Sequence, residues 1–430
     1  MVSLSRITPP TLPRILQRPR LENQLKQYED RRVVVILGQA AQGKSTLAAS
    51  FAQSSYLPFT WINIASEDKA PINLYYVTAE ALRPFLDKKA TEAVLNYPAF
   101  QLGPRNPEAL YRDWIHTLFS NIKEPIRVVF DGLDRLPDGS ASFVLLRLMM
   151  EAAPETVKFV LLSRKDPPLP VHDWKIKQHA FVLFNRDLAF TYHETQSFLR
   201  GHCGLKCSTG EVKKVWKATE GWTGGLVILS QVLQSSGDPS ARLNFIGDLP
   251  DRFKVQVFLY FANEIFSCLS EQDAWFLMHS AIFEDVDPDF LDQLLDMRGS
   301  ETVLLKLTRQ NLFVHSVHES DAKRIYRYHL LFRDFLQRMW KRQTDLEQRQ
   351  HFLHRTAKAY ARKNDLEKAA SFFLDTEDYD RAASVLRIHG RSMIQAQRHT
   401  DLADMLLRFP ERVIKRKPWL LLYRAVCRRY

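Results

Sequence analysis

The sequence predicts an α/β nucleotide-binding domain of the P-loop type, followed by an all-α helical domain, a winged-helix domain and the start of a TPR-like α-superhelix. Three observations predict it. The stretch VVVILGQAAQGKSTL at 33–47 joins an apolar run to a glycine loop, a lysine and two hydroxyls. Two more β-branched apolar runs follow, at 126–131 and 157–163. After about Pro170 the strand signal gives way to helical periodicity, which ends in alanine-rich pairs beyond His351. A chain of 430 residues is too long for one core, so several domains are expected. The pattern places them at 1–25 (an N-terminal arm), 26–188 (the P-loop domain), 189–248 (helical), 249–345 (winged helix) and 346–430 (helical repeats).

The P-loop domain comes first. VVVIL reads as a buried parallel strand. Gly38-x-x-x-x-Gly43-Lys44-Ser45 follows at once, and glycines let backbone N–H groups curl around phosphate oxygens. Gln42 lies within this cradle. Lys44 can reach the outer phosphates, and the Ser45 hydroxyl can face Mg²⁺. From Thr46 the residues favour helix, so the loop ends where a helix dipole favours anions. The second half of such a site needs an acid on another strand. IRVVFDGLD supplies Asp131 at a strand end, as a metal partner with Ser45, and Asp134 three residues on, to orient or deprotonate the attacking water. A turn or N-cap role is the plainer reading of Asp134. VKFVLLSR ends in Arg164, which would face the γ-phosphate because ligands in open α/β sheets sit at the carboxyl ends of strands. A surface arginine is the alternative.

The helical parts come next. Thr191 and Glu194 form a capping box for a helix expected over 194–200. Two helices over 211–235 meet at Gly221-Trp222-Thr223-Gly224-Gly225, where Trp222 is a core or hinge residue or, as the lesser reading, stacks on a base. Helices over 253–337 surround a β-like piece, 312–317, facing 324–328 across an ESDAK turn. That order suits a winged helix, and His329 follows it, with a packed helix-start histidine as its plain reading. Beyond His351, alanines at helical spacing with Asn-Asp and Glu-Asp turns read as antiparallel helix pairs. Such repeats need at least about three units, and two or so are present. A truncated piece of a longer protein is therefore expected. The basic run 412–417 reads as a solvated turn.

Composition narrows the class. Net charge is +11, from 60 Lys and Arg against 49 Asp and Glu. That suits a negatively charged partner, and it is also within what solubility requires. Four scattered cysteines do not make a disulfide framework. HCGLKC at 202–207 lacks a second half-site for zinc. No apolar stretch reaches membrane-spanning length, and the proline- and arginine-rich start does not resemble a signal peptide. A cytoplasmic protein without membrane contact is expected.

Walker A at 38–45, FDGLD at 130–134, LLSR at 161–164, LAFTYHE at 188–194, EGWTGGL at 220–226, YHLLFRDFL at 328–336 and RPRLENQL at 18–25 stand in one order. Together they resemble the STAND class of signal-transduction NTPases, in particular the subfamily of the maltose-regulon activator, whose regulators often carry a LuxR-type DNA-binding domain. The resemblance covers essentially the whole chain. It implies a switch that rests with ADP, opens with ATP and an inducer or regulatory protein, self-associates when ATP-bound, and resets by slow hydrolysis. By this likeness Lys44, Ser45 and Thr46 hold phosphates and Mg²⁺, Asp131 and Asp134 serve metal and water, and Arg164 senses the γ-phosphate. Arg18 belongs to the nucleotide-binding set, and His329 falls where the winged-helix domain meets the diphosphate of ADP. DNA would be reached through a domain outside this chain. FDGLD has a glycine where relatives often carry a second acid. Two other readings remain beside the switch. One is a nucleotide-binding scaffold without significant hydrolysis. The other is a P-loop motor, for which no arginine finger can be named.

Overall fold

The computed structural model describes residues 3–12, 15–95, 107–205, 207–235, 251–320 and 323–428. They divide into two compact units, one of 1–270 with 304–317 and 327–332, the other of 271–303 with 318–326 and 333–430.

The first unit is built on a five-stranded parallel sheet of β1 (Val33–Leu37), β2 (Phe59–Asn63), β3 (Ile126–Asp131), β4 (Val157–Ser163) and β5 (Ala180–Leu183), in the order β2-β3-β4-β1-β5. β1 is central, with Val35 paired to Leu161 of β4 and to Val182 of β5. Helices cover both faces, which is why these strands read as unbroken apolar runs rather than as alternation. Alternate residues still serve different cores. Val33, Val35 and Leu37 join one cluster with Val128, Phe130 and Phe159. Val34 and Ile36 join the other, with Leu21, Leu47 and Phe51.

β4 lies between the strand that carries the loop and the strand that carries the acid. The carboxyl ends of β1, β3 and β4 therefore open on one crevice, at the point where strand order reverses. Strand character does not end at Pro170 as the pattern implies. β5 pairs with β1 along its whole four-residue length. A four-residue strand is too short to show a period, and its place comes from its partner.

Three helices of this unit carry the motifs. Tyr192–Ser197 starts on Thr191, whose side chain accepts from the Glu194 N–H while Glu194 accepts from the Thr191 N–H. The helix expected over 194–200 thus begins two residues earlier, because the capping box places its first turn immediately after Thr191. It passes into a π-helical turn, Phe198–His202. Thr209–Thr219 and Thr223–Ser235 then meet at Gly221-Trp222.

Further along the chain stand helices Asp251–Glu264, Glu271–Ser280, Pro288–Leu295 and Ser300–Arg309. β6 (Val314–Ser320) and β7 (Lys323–Tyr328) form a two-stranded sheet, and the Leu330–Gln343 helix follows. Helices followed by a hairpin are what the sequence predicts there. Within the ESDAK turn, 321 and 322 lie outside the described residues.

In the second unit, helices Leu346–Arg362, Leu366–Asp375, Tyr379–Gln395 and His399–Leu407 follow one another through short turns. Asn364 and Glu377 take left-handed backbone. The next residues, Asp365 and Asp378, each cap the following helix by accepting a backbone N–H. The alanines do what their spacing implies: Ala357, Ala370, Ala382 and Ala383 are buried in one core with Phe373 and Leu386. The run 412–417 is not a free turn. Most of it lies in the short helix Glu411–Arg416, with Ile414 buried.

Candidate functional site

The loop after β1 closes tightly because Ala41 and Gly43 both adopt positive φ, 55° and 82°. Glycine meets that demand at 43 without strain. Gly43 caps the Lys44–Ser54 helix, whose first N–H groups face the crevice. Gln39 and Gln42 are buried and joined side chain to side chain at 3.2 Å. The Gln39 N–H is held by the Asn185 side chain at 2.9 Å.

Lys44 folds over the loop and donates to the carbonyl oxygens of Gly38 and Gln39 at 2.6 and 2.9 Å. Burial pushes its ammonium down to about 8, against the pull of Asp134 and with a push from Arg164. Asp131 ends β3 as predicted. Burial raises its carboxyl above the usual range, opposed by a hydrogen bond from Ser45 and by the Lys44 charge. Ser45 and Asp131, the pair named for a metal, thus lie close together. A hydroxyl and a half-buried carboxylate form an oxygen donor set that suits Mg²⁺.

Asp134 sits in the turn Leu133–Arg135, where Gly132 holds the cap position, so its carboxylate is not the cap of that turn. One oxygen accepts the Arg164 N–H at 2.8 Å, and the other lies 3.6 Å from the Arg164 guanidinium. Arg164 and Asp134 both lie close enough to Lys44 to act on its charge. The residues predicted from three separate motifs therefore share one site.

Beside the Lys44 helix lies a cavity of about 280 Å³, near the lower end for small-ligand sites. Thr46, Leu47 and Ser50 form one wall, and Phe190, Phe198 and His202 another. The N-terminal arm closes it with Thr11, Leu12, Ile15 and Leu16. His202 lies parallel to Phe198, with ring centroids 5.0 Å apart.

Arg18 lines the same cavity but is committed to protein partners. It pairs with Glu194 at 3.1 Å, donates to the Leu188 and Ala189 carbonyls, and lies over the Phe190 ring at 4.4 Å. Burial would raise the Glu194 carboxyl, but hydrogen bonds from Arg18 and from the Thr191 N–H hold it below its ordinary range. Apart from Arg18, Gly43 and Thr46, sequence reasoning did not assign the cavity residues to the site. The four-residue spacing of Phe198 and His202 sets them on one helical face, but nothing local shows that the face meets the Lys44 helix.

The Gly-Trp turn is seated on the phosphate loop. Trp222 Nε1 donates to the Ala40 carbonyl at 3.0 Å, and the Thr223 hydroxyl donates to Gln42 at 3.3 Å. Gly224 is required there, since a Cβ would come within 2.7 Å of Ala41 Cβ. Trp222 is buried and stacks on Phe261 at 5.3 Å, so its ring is a core contact rather than a base platform. His329 is buried beside it, ring centroids 6.1 Å apart, and its Nε2 pairs with the Thr219 carbonyl at 2.8 Å. As the carbonyl can only accept, Nε2 carries the proton, and Nδ1 has no hydrogen-bond partner among the described residues. Burial pushes the imidazole below its usual range, so the ring is neutral. In this structure His329 bonds to the Gly-Trp turn, not to the phosphate loop.

Residues 262–349 match the MalT winged helix domain. Along 427 residues the chain is 23% identical to the HTH-type transcriptional regulator MalT of Yersinia pestis, covering 97% of this chain and 45% of that protein. It is also 23% identical to MalT of Yersinia enterocolitica over 422 residues, 95% of this chain and 44% of that one. The chain thus spans about half the length of the curated relatives it matches. Among solved structures, a Walker-type ATPase of Pyrococcus abyssi superposes with a TM-score of 0.49 at 17% identity, over 75% of this chain and 96% of that one. A STAND protein with a tetratricopeptide repeat sensor from Pyrococcus horikoshii gives 0.37 at 16% identity, over 97% and 56%. No helix among the described residues is long and apolar enough to cross a membrane.

Proposed function

We propose that this MalT-like STAND chain is the nucleotide-operated core of a transcription regulator, a switch that rests with ADP and is activated by ATP. The observation that carries this reading is the convergence of Lys44, Ser45–Asp131 and Asp134–Arg164 on one crevice, beside a cavity walled by Thr46 and Leu47. Lys44 and the N–H groups from Gly43 to Thr46, at the start of its helix, would hold the phosphates. Ser45 and Asp131 would hold Mg²⁺, which when bound neutralises phosphate charge. The cavity would take the base and ribose, with Arg18 shaping it through Phe190 and Glu194. Asp134 would position a water, and Arg164 would meet the γ-phosphate.

His329 would lock the resting form through Trp222 and Thr219, with a direct approach to the diphosphate as the stronger version of the same role. Slow hydrolysis would reset the switch. Self-association with ATP, an inducer or regulatory protein as the trigger, DNA contact through a domain outside this chain, and a cytoplasmic site of action complete the proposal.

The test is the nucleotide content of protein purified without added nucleotide, released by denaturation and resolved by anion exchange. The expected result is stoichiometric ADP. An empty site with rapid ATP turnover would point to a motor. An empty site without turnover would favour a scaffold.

A further inference from the structure

The segment after β4 is tied to helices of the winged-helix side at three points. The Asn311 side chain donates to the Arg164 carbonyl at 2.8 Å. The Asp166 N–H donates to the Arg309 carbonyl at 3.4 Å. Glu264, the last residue of the Asp251–Glu264 helix, lies 3.9 Å from the Arg164 guanidinium. The same guanidinium faces Asp134. Tyr260, one helical turn before Glu264, lies near both charges and packs at a tilt against Trp222, ring centroids 5.4 Å apart. Asn311 adopts φ 50°, a left-handed conformation that asparagine tolerates better than most residues. Its side chain is thereby aimed back at Arg164.

We infer that Glu264 and Asn311 form a latch on Arg164 that favours the diphosphate-bound form over the triphosphate-bound form. This rests on the nucleotide reading above. The Glu264 carboxylate and a third phosphate, both anionic, would compete for the one guanidinium. A diphosphate leaves Arg164 with Asp134 and Glu264. A γ-phosphate, carrying more charge, draws it away and frees the end of the Asp251–Glu264 helix. A half-exposed pair at 3.9 Å is weak, as an exchangeable contact must be.

The test compares binding of mant-ADP and of a non-hydrolysable mant-labelled ATP analogue to the full chain, wild type against Glu264→Gln and Asn311→Gly. Glycine keeps the left-handed backbone at 311 while removing the donor. Each variant should raise affinity for the triphosphate analogue relative to mant-ADP by about three- to ten-fold, the range expected for one polar contact. General loosening would weaken both probes alike, so an unchanged ratio in both variants overturns the latch even where affinity falls. A ratio shifted towards mant-ADP overturns it as well. Wild-type protein that binds neither probe overturns the nucleotide reading and the latch with it. That failure is told apart because it appears before any substitution.

Discussion

Lys44 carries its charge where burial penalises it, and this gives the site a pH dependence of definite sign. Below pH 8 the ammonium is charged in the folded chain, and above it the amine is neutral. Phosphate favours the charged form, so above pH 8 binding takes up a proton and affinity falls as pH rises, approaching about ten-fold per pH unit. Stability without nucleotide runs the other way. The unfolded chain keeps this lysine charged up to its ordinary 10.5, so between about 8 and 10.5 it binds more protons than the folded chain, and this group's contribution to stability rises with pH. Titration with mant-ADP from pH 7 to 9.5 checks the first statement, and an affinity independent of pH would count against Lys44 as the phosphate ligand. The site residues most legible in the sequence are those of the loop, Lys44 and Ser45, and the strand-end Asp131, because motif and strand context agree there. The commitments of Arg18 and His329 were not legible. Each depends on partners more than a hundred residues away, Glu194 and Thr219.

Elements were legible where the chain buries them on both sides. β1, β3 and β4 are continuous apolar runs for that reason. β2 and β5 lie at the edges of the sheet, β2 broken by Thr60 and Asn63 and β5 only four residues long, so their assignment depends on pairing rather than on pattern. The capping box at Thr191 was readable because its two hydrogen bonds link residues three apart. The π-helical turn that follows was not, since its geometry comes from packing. The box does more than start a helix. Glu194 serves the Thr191 N–H and the Arg18 guanidinium together, and Arg18 forms part of the cavity wall. Thr191→Ala removes one cap acceptor and should lower stability by about 1 kcal/mol. The melting temperature and mant-ADP affinity should fall together. A drop in stability with affinity untouched would separate the cap from the cavity.

For the whole molecule, the contact between the loop after β1 and the helix that follows His329 runs through the Gly-Trp turn. Ala40 and Gln42 of the loop hold Trp222 and Thr223, and Thr219 at the same turn holds His329. His329→Ala removes a buried hydrogen bond, while the Thr219 carbonyl keeps the Trp222 N–H at 2.7 Å. A loss of about 1 kcal/mol is expected. If it falls on the resting form, ADP release quickens by about five-fold or more, which stopped-flow displacement of mant-ADP would measure. Slower release would refute the lock. The order of domains was legible along the chain, but the cavity beside the Lys44 helix was not. It is assembled from the N-terminal arm with Arg18 and Glu22, from 43–50, from Phe190, Phe198 and His202, and from Thr223 and Val227, which only the fold brings together.

One consequence follows from the way Lys44 rests on the carbonyls of Gly38 and Gln39. Its ammonium is stripped of most of its water when the chain folds, and two fixed dipoles stand in for that water. An arriving phosphate would therefore meet a cation already dehydrated and aimed, and would displace carbonyl partners rather than solvent. Binding there would be a swap of ligands. The affinity it yields is the difference between two strong contacts rather than the strength of one. Such a site can hold its ligand firmly and still exchange one phosphate chain for another at little net cost.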